Sequence, residues 1–348
     1  MKYKLPFLVG LASLAALVGV QAQTAVTDPV GYITTDLAPN AAGTTTGADT
    51  LVAPTLVQQT TFAGASSNDP SGATSITFAS GVPATLDGSY YVEIKSGARA
   101  GFWSTVVSST ATSITTSDTL PAGLAAGTNF IVRKHATIGN YLGANTPGLT
   151  AFTGANNADK VLVLNPVTQV VTAYVYAAGG IFGPNAGWYD QVTEASADNV
   201  IIYPGDAVKI RRVSNGPISF VTVGYVKTTP TEIDIYERDN WLNPMLATGT
   251  TLAGTNLNTG NTASGLFQED YNAANGAPDR VFTISSAQVT TSYVALTGAG
   301  GFIDEVTETG AGTLPLKEGT GIIIRRDPRA PATFDNSIWV APAQVIAN

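Results

Sequence analysis

The chain has no cysteine, one histidine, two methionines and only 12% charged residues among its 348. Without cysteine there is no disulfide, no thiolate metal site and no cysteine nucleophile. His135 cannot by itself build a histidine-cluster metal centre or a two-histidine mechanism. It also follows Arg133 and Lys134, whose charges oppose its protonation. Ordinary globular domains carry about a quarter charged residues, so the wet faces of a coiled coil or a charged helical bundle cannot be furnished here. Disorder goes with low hydrophobicity, and 44% of this chain is hydrophobic. A formal charge of −8 opposes contact with a phosphate backbone, so nucleic acid is not an expected partner. Catalytic motifs are missing too: there is no G-x-S-x-G elbow and no phosphate-cradling G-x-x-x-x-G-K-[ST] loop. The expectation is a protein that is not an enzyme.

Long apolar runs are also scarce. The one clear example, residues 5–20, follows the basic pair Lys2 and Lys4 and precedes Val20-Gln21-Ala22. A basic start, an apolar core and small or β-branched residues before a cleavage point make a secretory signal. The run is shorter than the roughly 20 residues that span a bilayer. Cleavage after Ala22 removes two lysines and takes the formal charge to −10. The expected location is outside the cytoplasm: periplasm, outer surface or medium, with no membrane span in the mature chain. Export without disulfides suits a bacterium.

What the chain does have is Val, Ile, Thr and Tyr in short runs every 8–12 residues, punctuated by 36 glycines and 19 prolines. That spacing predicts an all-β sandwich or barrel with very little helix. The best short helical stretches are 240–246 and 264–271, and 247–262 reads as a Gly/Thr/Asn-rich loop.

The strongest pattern is internal repetition. Residues 205–220 (GDAVKIRRVSNGPISF) and 319–334 (GTGIIIRRDPRAPATF) fit one another without a gap. Tyr225-Val226 matches Trp339-Val340 at the same offset, and Gly127 to Lys134 is an earlier copy of the first half. Asp159-Lys160-Val161 matches Asp279-Arg280-Val281, with Tyr174 against Tyr293, and Asn140-Tyr141-Leu142 resembles Asn240-Trp241-Leu242. The expected organisation is a signal peptide at 1–22, β units at 23–136, 155–237 and 275–348, and linkers at 137–154 and 238–274.

On a strand, alternate residues share a face. Val208, Ile210 and Arg212 therefore face the core while Arg211 points the other way, and Arg325 and Arg326 repeat the pattern. Lys134 is expected to match Arg212. A buried guanidinium needs a carboxylate, and Asp159 and Asp279 are the expected partners because they repeat with the arginines. The alternative is an arginine cluster for sulfated or carboxylated glycans.

The start Asp28-Pro29-Val30-Gly31-Tyr32-Ile33, the segment YYVEIKSGARAGFWSTVVSSTATSIT and the IRR strands together resemble an uncharacterised family of secreted β-repeat proteins of verrucomicrobial and planctomycetal bacteria. The resemblance implies export and β architecture and carries no catalytic residues.

Candidate ligand contacts are few. Among the four tryptophans, Trp241 and Trp339 sit at repeated positions and read as core. Trp188, with Tyr189 and Asp190, follows a Gly/Pro/Asn loop and is the candidate for stacking on a sugar. A calcium site could draw on Asp190, Asp198 and Asn199, or on Asp304 and Glu305. A glycosidase would need two carboxylates across a cleft, from Glu93, Asp190, Glu194, Glu232, Asp234, Glu237, Asp304 and Glu305. The leading expectation is an exported, non-catalytic structural or surface-interaction protein, with self-association or a surface glycan as partner. A carbohydrate-binding module and a glycan-active hydrolase are the alternatives.

Overall fold

The computed structural model describes residues 29–41, 46–145, 147–154, 158–246, 249–258, 278–296, 301–326 and 337–343; the expected signal peptide and the stretch 264–271 lie outside them. Strands dominate the described residues, with one short helix, Ile138–Leu142, and one 3-10 turn, Ala253–Thr255. No helix among them is long and apolar enough to cross a membrane.

Two five-stranded antiparallel sheets share one strand order. The first runs Gly187–Asp190, Val170–Ala177, Lys160–Asn165, Val208–Arg212, Ala48–Val52. The second runs Gly301–Asp304, Thr290–Leu296, Arg280–Ile284, Ile322–Arg326, Arg238–Leu242. In both, the last strand in sequence slots between the first and the second. A six-stranded sheet repeats that order with Thr60–Ala65, Asn129–Lys134, Tyr90–Ile94, Trp103–Ser109 and Ser113–Thr116, and adds Ser75–Thr77 at its edge. Each five-stranded sheet also has a two-stranded ribbon: Val30–Leu37 with Ile218–Tyr225, and Thr231–Ile235 with Ser337–Ala341.

The strands cut across the expected unit boundaries. Val30–Leu37 and Ala48–Val52 fall within 23–136, yet they hydrogen-bond to Ile218–Tyr225 and Val208–Arg212. The six-stranded sheet is thus inserted between the first and second strands of a neighbouring sheet. The expected linker 238–274 contains the edge strand Arg238–Leu242, which also takes up the first three residues of the expected helical stretch 240–246. The Asn240 amide explains why it does not turn helical: it donates to the carbonyls of Tyr236, Arg238 and Ile324 and accepts from the Tyr236 N–H, which fastens the strand in place. Asn140, by contrast, closes a capping box with Thr137 and starts the helix Ile138–Leu142, so the two Asn-aromatic-Leu elements are not equivalent. The counterpart of Asp239-Asn240-Trp241-Leu242-Asn243-Pro244 in the strand order is Asp49-Thr50-Leu51-Val52-Ala53-Pro54. The ribbons also shift the far end of the gapless pattern. Phe220 pairs with Thr35 and Trp339 with Ile233, so buried Trp339 stands where Phe220 does rather than Tyr225.

The two five-stranded sheets grip one another reciprocally, as across a two-fold axis. The Ala53 amide donates to Gly319 O (2.9 Å) and the Asn243 amide to Gly205 O (2.7 Å). The Gly321 amide donates to Leu51 O (3.1 Å) and the Ala207 amide to Trp241 O (2.9 Å). Gln288, on the hairpin of one sheet, brackets the backbone of Asp49 at 2.6 and 2.9 Å, while Gln169 brackets that of Asp239 at 3.1 and 3.0 Å. Between the sheets lie Leu51, Leu162, Leu164, Trp241 and Ile323, with Phe282 and Ile284 against them. On its other face each sheet has its own core, one around Val161, Trp188, Val208 and Ile210, the other around Val281, Phe302, Ile324 and Trp339. Burial on both faces explains the unbroken Val161-Leu162-Val163-Leu164 run.

Gly205 and Gly319 sit where the sheets cross, with φ of +95° and +69°. A Cβ on Gly205 would come within 2.6 Å of the Ile233 side chain. Gly205→Ala therefore meets both left-handed strain and a clash. It is expected to cost about 1–3 kcal/mol in urea unfolding, while Gly216→Ala, where a Cβ meets nothing, serves as the control.

Candidate functional site

The repeated arginines belong to the scaffold. Arg211 forms a two-pronged pair with Asp49 (2.7 and 2.9 Å), and Arg325 does the same with Asp239 (2.6 and 3.0 Å). Arg212 and Arg326 are buried, with Nε 3.9 Å from Asp159 and 3.8 Å from Asp279. Arg212 Nη1 donates to Leu37 O and Arg326 Nη1 to Ile235 O, tying each ribbon to its sheet. Burial lowers the Arg212 pKa and Asp159 raises it again. The inserted sheet solves the same problem one residue earlier. Arg133 is buried against Glu93, whereas Lys134, expected to match Arg212, is exposed and reaches over the Tyr90 ring. The bulge between Thr60 and Phe62, opposite Arg133, marks the local irregularity.

Trp188 is fully buried and its indole N–H donates to Gly143 O at 2.8 Å, so it cannot stack on a sugar. The reason is topological: its strand faces the same core as Val161 and Ile210. Tyr189 is buried too and donates to Asn185 O. Asp190 accepts the Val192 and Thr193 amides, as Asp304 accepts those of Val306 and Thr307. Asp198 accepts the Trp188 amide, and Glu305 pairs with Arg280. No three His, Cys, Asp or Glu side chains gather around a metal-sized space among the described residues.

A different place has the shape of a binding site. A cavity of about 540 Å³ opens where the inserted sheet, the hairpin and turn of the first five-stranded sheet, and the ribbon of the second meet. Its volume falls within the roughly 300–1,000 Å³ of small-molecule sites. Tyr203, 42% exposed, stacks on Trp103 with ring centroids 5.9 Å apart and planes 22° from parallel. Trp103 is locked from behind by a hydrogen bond from its indole N–H to Glu232 O (3.0 Å). Phe102, Tyr236 and Trp241 complete the aromatic lining.

Four carboxyls line the same space: Asp118, Asp206, Glu232 and Asp234. Glu232 is paired with Arg99 at 3.0 Å. Asp118 accepts the hydroxyls of Ser104 and Ser117 (2.7 and 2.9 Å). Desolvation pushes the Asp206 pKa up to about 7, against the backbone hydrogen bond from Tyr203. Desolvation, then the charge of Asp118, raises that of Asp234. Desolvation also raises the Tyr236 phenol, with added repulsion from Asp234, Asp206 and Asp118 together. Behind the aromatic pair, burial lowers His135 to about 4.

Asp206 and His135 act oppositely on stability. Between pH 3.8 and about 7 the folded chain keeps a proton on Asp206 that the unfolded chain loses, so stability falls as pH rises. Between about 4 and 6.5 the unfolded chain protonates His135 and the folded chain does not, so stability rises with pH. Asp206→Asn keeps the acceptor and removes the first effect. Its urea midpoint is expected to climb from pH 4 to 6.5 and to exceed wild type increasingly towards pH 8, with a slope of at most about 1.4 kcal/mol per pH unit. Parallel profiles for the two proteins would refute the assignment.

Glu232 and Asp234 are two of the eight carboxylates named from the sequence, where no spacing singles out a pair. Asp118, Asp206, Trp103 and Tyr203 are not picked out there, because the inserted sheet supplies Trp103 and Asp118, a distant turn supplies Tyr203 and Asp206, and no local spacing links the two stretches. No family model matches the chain, and neither any curated protein nor any solved structure matches it.

Proposed function

We propose that this chain is an exported, non-catalytic surface-interaction protein whose point of contact is a sugar-binding cleft. The matching strand orders and ion pairs support reading it as three related β units, one inserted into another. The observation that carries the functional reading is the flat Tyr203–Trp103 stack beside carboxyls that can accept sugar hydroxyls. Aromatic faces hold apolar ring surface while the polar groups fix orientation. The signal-like start supports export. Isothermal titration of the mature chain with soluble oligosaccharides tests the reading: binding that Tyr203→Ala weakens at least about tenfold supports it, and the absence of heat with every sugar overturns it.

A second reading, glycoside hydrolysis, is favoured by one observation: Asp206 holds its proton to about pH 7 beside other carboxyls, as a general acid must. Reducing ends released by wild type and lost in Asp206→Asn would establish it; none released from bound oligosaccharides would exclude it.

A further inference from the structure

We propose that the cleft selects a sugar carrying a protonated amine, of the glucosamine type, over neutral and acidic sugars. The inference rests on the sugar-binding reading and adds the charge of the ligand.

Three features of the cleft carry it. First, its charges do not cancel. Arg99 is the one basic side chain among the described lining residues, and it is tied to Glu232 at 3.0 Å. Asp118 and Asp234 have no basic partner among the described residues, and Asp206, which holds its proton at pH 6, adds a hydrogen-bonding carboxyl rather than a charge. Second, these carboxyls share one space. All three, with Tyr236, line the one cavity, and the charge of Asp118 adds to desolvation in raising the Asp234 pKa. Third, the same cavity has an aromatic wall. The face of Tyr203, backed by Trp103, can take the apolar face of a pyranose and also attract a cation.

Like charges held together in a partly desolvated space raise one another's energy, and a bound cation relieves that repulsion. An ammonium on the ring places the charge among the carboxyls while the hydroxyls use their remaining oxygens. A uronate or sulfate would add to the repulsion, and an acetylated amine would bring bulk without charge. The sequence-based alternative, an anionic glycan on the arginines, fails because Arg211 and Arg325 are already doubly bonded to Asp49 and Asp239.

The test compares three tetrasaccharides against the mature chain at pH 6 by titration calorimetry: chitosan tetramer, its fully N-acetylated form, and tetragalacturonate. The chitosan tetramer is expected to bind at least about tenfold tighter than the acetylated one, and the galacturonate not at all. Asp234→Asn should remove most of that preference by weakening the chitosan tetramer far more than the acetylated one, and Tyr203→Ala should weaken both. Added salt should erode only the chitosan affinity. Equal or tighter binding of the acetylated tetramer would overturn the amine selectivity and leave the sugar site standing. Silence from all three would overturn both. A circular dichroism melt of each variant ensures that a lost signal is not a lost fold.

Discussion

Arg212→Ala is expected to destabilise the chain by about 3–5 kcal/mol, the cost of leaving a buried carboxylate without its cation. Both side chains of the Arg212–Asp159 pair are at most 1% exposed. The loss goes beyond charge. Arg212 also donates to Ser214 Oγ at 2.7 Å and to the carbonyl of Leu37, so its removal loosens the ribbon from the sheet. Replacing both partners by apolar residues often restores stability, but it should not here. Asp159 accepts the amides of Val213 (2.6 Å) and Thr150 (2.9 Å), and Asp159→Leu would orphan both. The double variant Arg212→Met/Asp159→Leu is therefore expected to stay well below wild type in urea unfolding. Recovery to wild-type stability would show that the pair is dispensable. Arg326→Ala should behave alike, because Arg326 and Asp279 repeat the geometry at 3.8 Å. Arg211→Ala, at the half-exposed pair with Asp49, should cost no more than about 1 kcal/mol.

Glu93→Ala is the second large effect, again about 3–5 kcal/mol. Glu93 is fully buried between two cations: Lys227 Nζ lies 2.8 Å away and Arg133 Nη1 3.5 Å away. Thr229 also donates to it, and Lys227 donates to Thr229 and to the Pro230 carbonyl. Removing the carboxylate leaves two positive charges in the interior. Because Lys227 belongs to the segment joining the two five-stranded sheets, the loss also removes one of the ties between the inserted sheet and them, beside those through Arg99 and Trp103 to Glu232. Calorimetry should then show the single transition broaden or split. Lys227→Met in the Glu93→Ala background should recover part of the loss, since one stranded charge is gone; the remainder belongs to Arg133. Additive losses from the two substitutions would mean that Glu93 and Lys227 are not coupled.

Much of this was legible in the residues. The period of two in Val208-Lys209-Ile210-Arg211-Arg212 placed Arg212 on the core face and Arg211 on the other, because a strand leaves a side chain only two directions. The same logic named Asp159 and Asp279 as partners, since a buried guanidinium requires a carboxylate and those two recur with the arginines. Trp188 was misplaced because a Gly/Pro/Asn loop before a tryptophan does not say which face the following strand turns inward.

The cleft shows where sequence reasoning stops. Trp103 and Asp118 come from the inserted sheet, Tyr203 and Asp206 from a turn before Val208–Arg212, and Glu232 and Asp234 from a ribbon strand of the other five-stranded sheet. Nothing along the chain sets these stretches beside one another. By itself the sequence determined the β class, the alternation of faces and the need for buried pairs, all of which follow from neighbours one or two residues apart. Only the tertiary structure decided that the first strands close onto Val208–Arg212 and Ile218–Tyr225, that one sheet is inserted between the strands of another, and that three stretches meet around a cavity. Those outcomes depend on strand pairings across more than a hundred residues, and such pairings are chosen by the joint packing of whole sheets.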